Sequence, residues 1–266
     1  MKISVVTPSF NQAKFIERTL QSVLNQGVPD LEYIVVDGGS DDGTVQILER
    51  YRPALTHLII EPDDGQADAV AKGMRLATGD ILAYLNSDDI LLEGALAAVI
   101  QFFECNPEID AVYSNRVFVD EDDSVTRFWI LPPHSNYCMS RWDFIPQETC
   151  FWRRSLMERA GPVDPRFQFA LDYDLFVRMM KVGRFARLNR FLAGFRVHPA
   201  AKSSTLYETL GRREIDRVRR QNGIQIHWHD PLLKYLFGGP ILGISFVVKL
   251  LAIRGIRRRL RFPYAR

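Results

Sequence analysis

The chain has 266 residues, 47% of them hydrophobic and 25% charged, with a formal net charge of +2. That usage excludes a disordered, collagen-like or disulfide-stapled protein and supplies a full hydrophobic core, so one catalytic-size domain with an appendage is expected. The cysteines, Cys105, Cys138 and Cys150, show no CxxC spacing, and their odd number points to a reducing compartment.

In chain order, "ISVVTP" reads as an opening strand rather than the apolar core of a signal peptide. Phe15, Ile16, Leu20, Val23 and Leu24 follow at helical spacing, with Asn11 as the expected N-cap and Gly27 as the stop. Next come "EYIVV" as a strand, "GTVQILERY" as a helix, "HLIIE" as a strand, "GQADAVAKGMRLATG" as a helix closed by Gly79, and "DILAYL" as a strand. This alternation predicts a parallel sheet with helices on its faces and ligands beyond the carboxyl ends of the strands.

After residue 110 the alternation loosens. "DAVYSN", "RVFVD" and "VTRFWIL" predict shorter strands, antiparallel in part. "DYDLFVRMMKVG" predicts a helix that stops at Gly183, and a helix rich in Arg and Glu is expected over about 205–222. The apolar run at 235–248 is interrupted by Gly238, Gly239 and Pro240 and is shorter than the about 20 residues a spanning helix needs. Beyond it lie Lys249, Arg254, Arg257, Arg258, Arg259, Arg261 and Arg266 with no acid. Partial insertion with the basic side on an anionic membrane surface is expected, and no nucleic-acid reading motif accompanies the basic residues.

Three loops at the expected sheet edge are acidic. "VVDGGSDDGT" puts Asp37 directly after the second strand, with Gly38 and Gly39 letting backbone approach a ligand closely. "YLNSDD" supplies Asn86, Ser87, Asp88 and Asp89, and "EPDDGQADAVAKG" supplies Asp63, Asp64 and Asp68. Such loops would repel a diphosphate unless a hard cation intervened, held by carboxylate oxygen and completed by phosphate. The plainer alternatives are that Asp88 and Asp89 cap a helix starting near residue 91, that Asp172 and Asp174 are helix-start acids, and that Asp37 and Asp41 form turns.

The stretches "VVTPSFNQAKFIERTLQSVLNQ", "YIVVDGGSDDGT", "GQADAVAKGMRLATGDILAYLNSDD", "GPVDPRFQFALDYDLFVRM" and "FRVHPAAKS", in this order, resemble glycosyltransferase family 2 over about 2–203. The resemblance implies a GT-A fold, an α/β, Rossmann-like mixed sheet with helices on both faces. It implies a nucleotide-sugar half over about 1–110 and an acceptor half over about 111–203, followed by a C-terminal helical segment over 204–266. Thr7 and Pro8, with Ser9 and Asn11 beside them, match the family's first nucleotide-binding loop. Asp37, followed by Gly38, matches the acid that accepts from the ring N–H of uracil, and Asp68 belongs to the same donor set. Asn86, Ser87 and Asp88 match the DXD motif, with Asn86 in place of its first Asp. Asp88 holds the metal position, and His198 resembles a late histidine that reaches the metal or diphosphate. Asp172 matches the acid of the Glu-Asp motif, with Leu171 where Glu is usual.

The activity so implied is inverting transfer from a nucleotide-diphosphate sugar, a UDP-sugar foremost, to a hydroxyl of a glycan or lipid-linked acceptor in cell-envelope polysaccharide or glycolipid synthesis. Asp172 would be the base, with Mn²⁺ or Mg²⁺ as cofactor and His198 favouring Mn²⁺. Glu148, Trp152 and Asp174 are acceptor-side candidates, Glu148 being the alternative base. The expected location is cytoplasmic, peripheral on the inner face of the plasma membrane. A catalytically inactive nucleotide-sugar-binding scaffold competes, favoured by Asn86 and Leu171. A sugar nucleotidyltransferase would carry a Gly-rich basic loop that "TPSFNQAKF" lacks, and a NAD-dependent oxidoreductase a GxGxxG.

Overall fold

The computed structural model describes residues 1–230. Its elements run β1 (Ile3–Ser9), α1 (Ile16–Leu24), β2 (Leu31–Asp37), α2 (Thr44–Tyr51), β3 (His57–Ile60), α3 (Gln66–Leu76), β4 (Ile81–Tyr84), β5 (Ile90–Leu91), α4 (Ala95–Cys105), β6 (Ala111–Val119) and β7 (Val125–Trp129). There follow α5 (Asn136–Trp142), β8 (Phe151–Arg153), α6 (Arg154–Ala160), α7 (Leu171–Val182), β9 (Phe185–Arg196), α8 (Lys202–Thr205) and α9 (Arg212–Gln221). The strands form one mixed sheet in the order β3-β2-β1-β4-β8-β6-β9-β5, with β7 paired to β6.

β1 is parallel to both β2 and β4, and β2 to β3. Alternate residues of these strands feed opposite cores. Val6, Ile34, Val36, Leu82 and Tyr84 pack with α3 and α7 on one face, while Val5, Tyr33, Val35, Ile81 and Ala83 pack with α1 and α4 on the other. Burial on both faces explains why these strands are nearly continuous apolar runs. β8 is antiparallel to β4 and β6 on either side of it, and β9 lies parallel to β6.

The structure corrects several local expectations. "DAVYSN" and "RVFVD" belong to one strand, β6; the polar pair Asn115 and Arg116 that interrupts the apolar pattern is absorbed by register shifts against β9 rather than by a turn. Helix α1 starts at Ile16 and Asn11 does not cap it. Asn11 instead sits at φ 52°, donating its N–H to Ser40 Oγ at 2.8 Å and accepting from the Asp41 N–H at 3.0 Å. Helix α3 ends before Ala77, and Gly79 lies beyond it where any Cβ would stand 2.7 Å from the Ser4 nitrogen. Asp88 and Asp89 do not cap α4, because Ile90 and Leu91 are drawn into a strand against β9 and the helix starts only at Ala95.

The Arg- and Glu-rich stretch is divided into α8, a wide turn at Tyr207–Gly211 and α9. Val218 of α9 is buried in the same core as Leu175 and Phe176 of α7. Among the described residues no helix is long and apolar enough to cross a membrane. The segment for which membrane docking is expected, 231–266, lies outside the described residues.

Candidate active site

A cleft of about 600 Å³ opens beyond the carboxyl ends of β1 and β4, the position ligands take in open α/β sheets. Its floor is the turn that follows β4. The Asp89 N–H donates to the Asn86 carbonyl at 3.1 Å, and Thr19 Oγ1 of α1 donates to the carbonyls of Ser87 and Asp89 at 2.9 and 2.7 Å. The fully buried Arg196, at the end of β9, clasps the same turn. Its N–H donates to Asp89 Oδ1 at 2.9 Å and its Nε to the Asp88 carbonyl at 2.7 Å, while Nη2 pairs with Asp123. Two residues further on, His198 Nε2 lies 3.0 Å from Asp88 Oδ2, with its ring tilted against Phe15. Burial, with Asp88 adjacent, pushes the Asp89 carboxyl well up, so it serves as a structural bond to β9.

Asn86 is tied into a side-chain amide chain. Its Oδ1 accepts from Gln66 Nε2 at 2.6 Å, its Nδ2 donates to Gln147 Oε1 at 3.2 Å, and Gln147 Nε2 donates to the Tyr84 carbonyl at 2.5 Å. An aspartate there could accept from Gln66 but could not donate to Gln147, so Asn86 acts as a donor and an acceptor in one link.

The other donor-side loop is preorganised by Asp37, which is completely buried. Its Oδ1 accepts from the N–H groups of Gly39 and Ser40 at 3.1 and 2.8 Å, and its Oδ2 accepts from Ser40 Oγ at 2.8 Å. Gly38 lines the cleft against Asp63, where a Cβ would come within 2.9 Å of Asp63 Oδ2. Ser9 also lines the cleft, and its buried Oγ has no hydrogen-bond partner among the described residues. Such an orphaned polar atom marks a place for a ligand. Lys202 completes this side, its Nζ donating to Gln66 Oε1 at 3.3 Å.

The opposite wall concentrates charge. Asp143, Glu148 and Asp172 line it together with Arg116. Arg116 Nη1 lies 3.3 and 3.4 Å from the two oxygens of Glu148, and its guanidinium stacks on Trp129, Phe195 and Phe118 at 4.5, 4.6 and 4.8 Å. Asp172 stands in the first turn of α7, its Oδ1 accepting from the Tyr173 N–H at 2.8 Å. Burial pushes its carboxyl up to about 6, restrained by that N–H, with Glu148 raising it further and Arg116 lowering it. Burial also pushes Asp143 well up, and Asp172 adds to the rise. A carboxylate that titrates near neutrality inside a cleft is matched to proton abstraction.

Of the residues named from the sequence, Pro8, Ser9, Gly38, Asn86, Ser87, Asp88, Glu148 and Asp172 line this one cleft, with His198 joined to it through Asp88. Asp63 and Leu171 line it as well, Asp37 lies buried behind Gly38, and Thr7, Asn11, Asp68, Trp152 and Asp174 do not line it. Thr7 is buried with its hydroxyl 3.0 Å from Tyr33 OH, and Asp68 pairs with Lys72 at 3.2 Å. Two acceptor-side candidates are corrected. Trp152, in β8 beside β4, is wholly buried in the core, and Asp174 is buried and bonded to Arg178 at 2.9 and 2.8 Å, away from the cleft. The sequence reading did not single out Arg116, Asp143, Gln147 or Lys202. Gln147 stood next to Glu148 and Lys202 within "FRVHPAAKS", whereas Arg116 and Asp143 carried no motif.

Asp88 and His198 offer one carboxylate oxygen and one imidazole nitrogen, and among the described residues no group of three ligating side chains exists. This donor pair fits Mn²⁺ or Mg²⁺ only if phosphate and water oxygens complete the shell.

The sequence profile described as Glycosyl transferase family 2 matches residues 4–161. The chain belongs to that family. It is therefore a transferase with a GT-A fold, as expected from its motifs. It is 31% identical over 182 residues to a PGL/p-HBAD biosynthesis glycosyltransferase of Mycobacterium bovis BCG, covering 66% of this chain and 68% of the relative. In three dimensions it is similar to S. aureus TarS 1-349 in complex with UDP-GlcNAc, at a TM-score of 0.66 and 20% identity over 84% of this chain and 66% of that one. The mannosyltransferase PcManGT from Pyrobaculum calidifontis, in complex with GDP-Man and Mn²⁺, matches at a TM-score of 0.63 and 20% identity, over 99% of this chain and 81% of that one.

Proposed function

We propose that this family 2 member is an inverting glycosyltransferase that moves a sugar from a UDP-sugar to a hydroxyl of a glycan or lipid-linked acceptor of the cell envelope. The observation that carries this reading is the facing of Asp172, raised to about 6, and the Asp88–His198 pair across one cleft. The nucleoside lies along Pro8, Ser9 and Gly38, with Ser9 Oγ gaining a partner and Asp37 giving up the Ser40 hydroxyl to accept from the uracil ring N–H. Lys202 faces the diphosphate. Asp172 takes the proton from the acceptor hydroxyl, whose oxygen attacks the anomeric carbon from the side opposite the leaving diphosphate. A divalent cation held by Asp88 and His198 would supply Lewis-acid neutralisation of the charge on that diphosphate.

The TarS complex with UDP-GlcNAc supports a uridine donor and the PcManGT complex with Mn²⁺ supports the cation. The deciding experiment is a hydrolysis screen of UDP-glucose, UDP-galactose, UDP-N-acetylglucosamine and GDP-mannose with Mn²⁺ or Mg²⁺. Metal-dependent release of UDP from one of the uridine donors is expected; turnover of GDP-mannose alone would overturn the uridine assignment. Peripheral docking through 231–266 rests on the apolar run and the basic cluster of that segment, and liposome flotation with and without it is the measurement.

A further inference from the structure

Helix α7, which carries Asp172, has no side-chain cap of its own. The N–H groups leading into it are instead taken by a residue of α9. Glu214, buried, accepts from the Gln168 N–H through Oε1 at 2.9 Å and from the Phe169 and Ala170 N–H groups through Oε2 at 2.8 and 2.9 Å. One carboxylate thus satisfies three consecutive backbone donors, Gln168 and Phe169 of the entering loop and the N-cap Ala170, with charge-assisted bonds. The same loop reaches the donor side, because Gln168 Nε2 donates to the Asp64 carbonyl at 2.8 Å. It is also pressed from behind: a Cβ on Gly211 would stand 2.9 Å from the Phe169 ring, and Phe169 tilts on Tyr207 at 6.1 Å. Phe169, Tyr207 and Ile215 of this assembly line the cleft.

We propose that Glu214 is a positioning residue for the base, holding the 168–170 loop so that Asp172 stays inside the cleft and locked to the donor loop at Asp64. Glu214, like Asp172, lies beyond the stretch matched by the family profile, and the proposal makes the C-terminal helix part of the active site. The proposal rests on Asp172 being the base. The groups that face Asp172 are Asp143, Glu148 and Arg116, with Tyr84 and Cys150 buried beside it. Glu214 also lies in the field of Lys202, which interacts more strongly with Asp63.

The test uses the full chain and two readouts. Hydrogen exchange at the amides of Gln168, Phe169 and Ala170 needs no substrate, and Glu214→Gln should speed it about 10-fold or more, since an amide cannot replace both acceptor oxygens. With the UDP-sugar hydrolysed in the donor screen, kcat should fall about 10-fold while KM stays within about 3-fold, because misplacement acts on the base rather than on donor binding. Water reaching Asp172 should also move the acid limb of the pH–rate profile to lower pH, an effect that lost stability alone does not produce. Glu214→Asp, which keeps a carboxylate, should recover part of both, and Arg213→Ala, exposed on the same helix, should change neither. Unchanged exchange in both Glu214→Gln and Glu214→Ala overturns the proposal, as does faster exchange with unchanged kcat and pH limb. If Asp172→Asn keeps near-normal turnover, it is the base assignment that fails, and the exchange measurement still judges the anchor.

Discussion

The two walls of the cleft use their carboxylates in opposite ways. On the donor wall Asp37, and Asp63 through one oxygen, accept from N–H groups of their own loops, so each acid builds a turn that presents glycine backbone, even though burial raises Asp63 as well. On the base wall the buried Glu148 and the half-buried Asp143 and Asp172 crowd beside Arg116, and desolvation pushes Asp143 and Asp172 up. Satisfied acids give a rigid shape, whereas crowded and buried acids give a reactive one. The difference teaches that an acidic motif alone does not reveal which kind of site it belongs to.

The strongest way to break this comparison is Asp172→Asn. It keeps the shape but cannot accept a proton, so transfer should fall by roughly 10²-fold or more while UDP affinity with Mn²⁺ survives. Steady-state transfer beside calorimetry checks it; near-normal turnover would pass the role to Glu148. Next in size is Asp88→Ala on the opposite wall, which should weaken UDP binding in the presence of Mn²⁺ by about 10-fold or more and leave binding without metal little changed. Wild-type affinity in a folded mutant would make the turn after β4 only a turn.

A third measurement sharpens the contrast through pH. With Asp172 at about 6, kcat/KM should drop about tenfold per pH unit below that value and level off above it. A profile flat down to pH 5 would mean that no buried carboxyl titrates in the rate-limiting chemistry. The smallest effect concerns stability and divides a single helical turn. A carboxyl whose folded value lies above its ordinary 3.8 favours folding in its protonated form. Its cost is absent below about pH 4, grows up to about pH 6 and is complete above that. Asp172→Asn should therefore raise Tm by a few degrees at pH 7.5 and not at pH 3.5. Asp174→Asn, which weakens the buried pair with Arg178, should lower stability by about 1–3 kcal/mol at pH 7.5.

Much of the donor half was legible because its signals are local. Strands such as "EYIVV" and "DILAYL" are buried on both faces and need no partner to be recognised, and the glycine-bearing acidic turns follow them within a few residues. Asp88 and His198 were each visible in a motif, yet what joins them is the packing of β9 beside β5 and the Arg196 clasp on residues 88 and 89. Arg116 looked like a break between two strands, because a register shift that tolerates a polar pair leaves no periodic trace.

What the sequence by itself determined is therefore the sheet, its helices and the list of acids at its carboxyl edge, since hydrophobic periodicity and turn chemistry act over a few residues. Only the tertiary structure decided which acids are spent and which are poised. Asp37 shapes its own loop, Asp174 is tied by Arg178, and Asp172 is left raised among Asp143, Glu148 and Arg116, beside the 168–170 loop that Glu214 holds. Burial and the sum of neighbouring charges fix a carboxyl's state, and for Asp172 both come from Arg116, Asp143 and Glu148, residues of other elements that only the fold brings beside it.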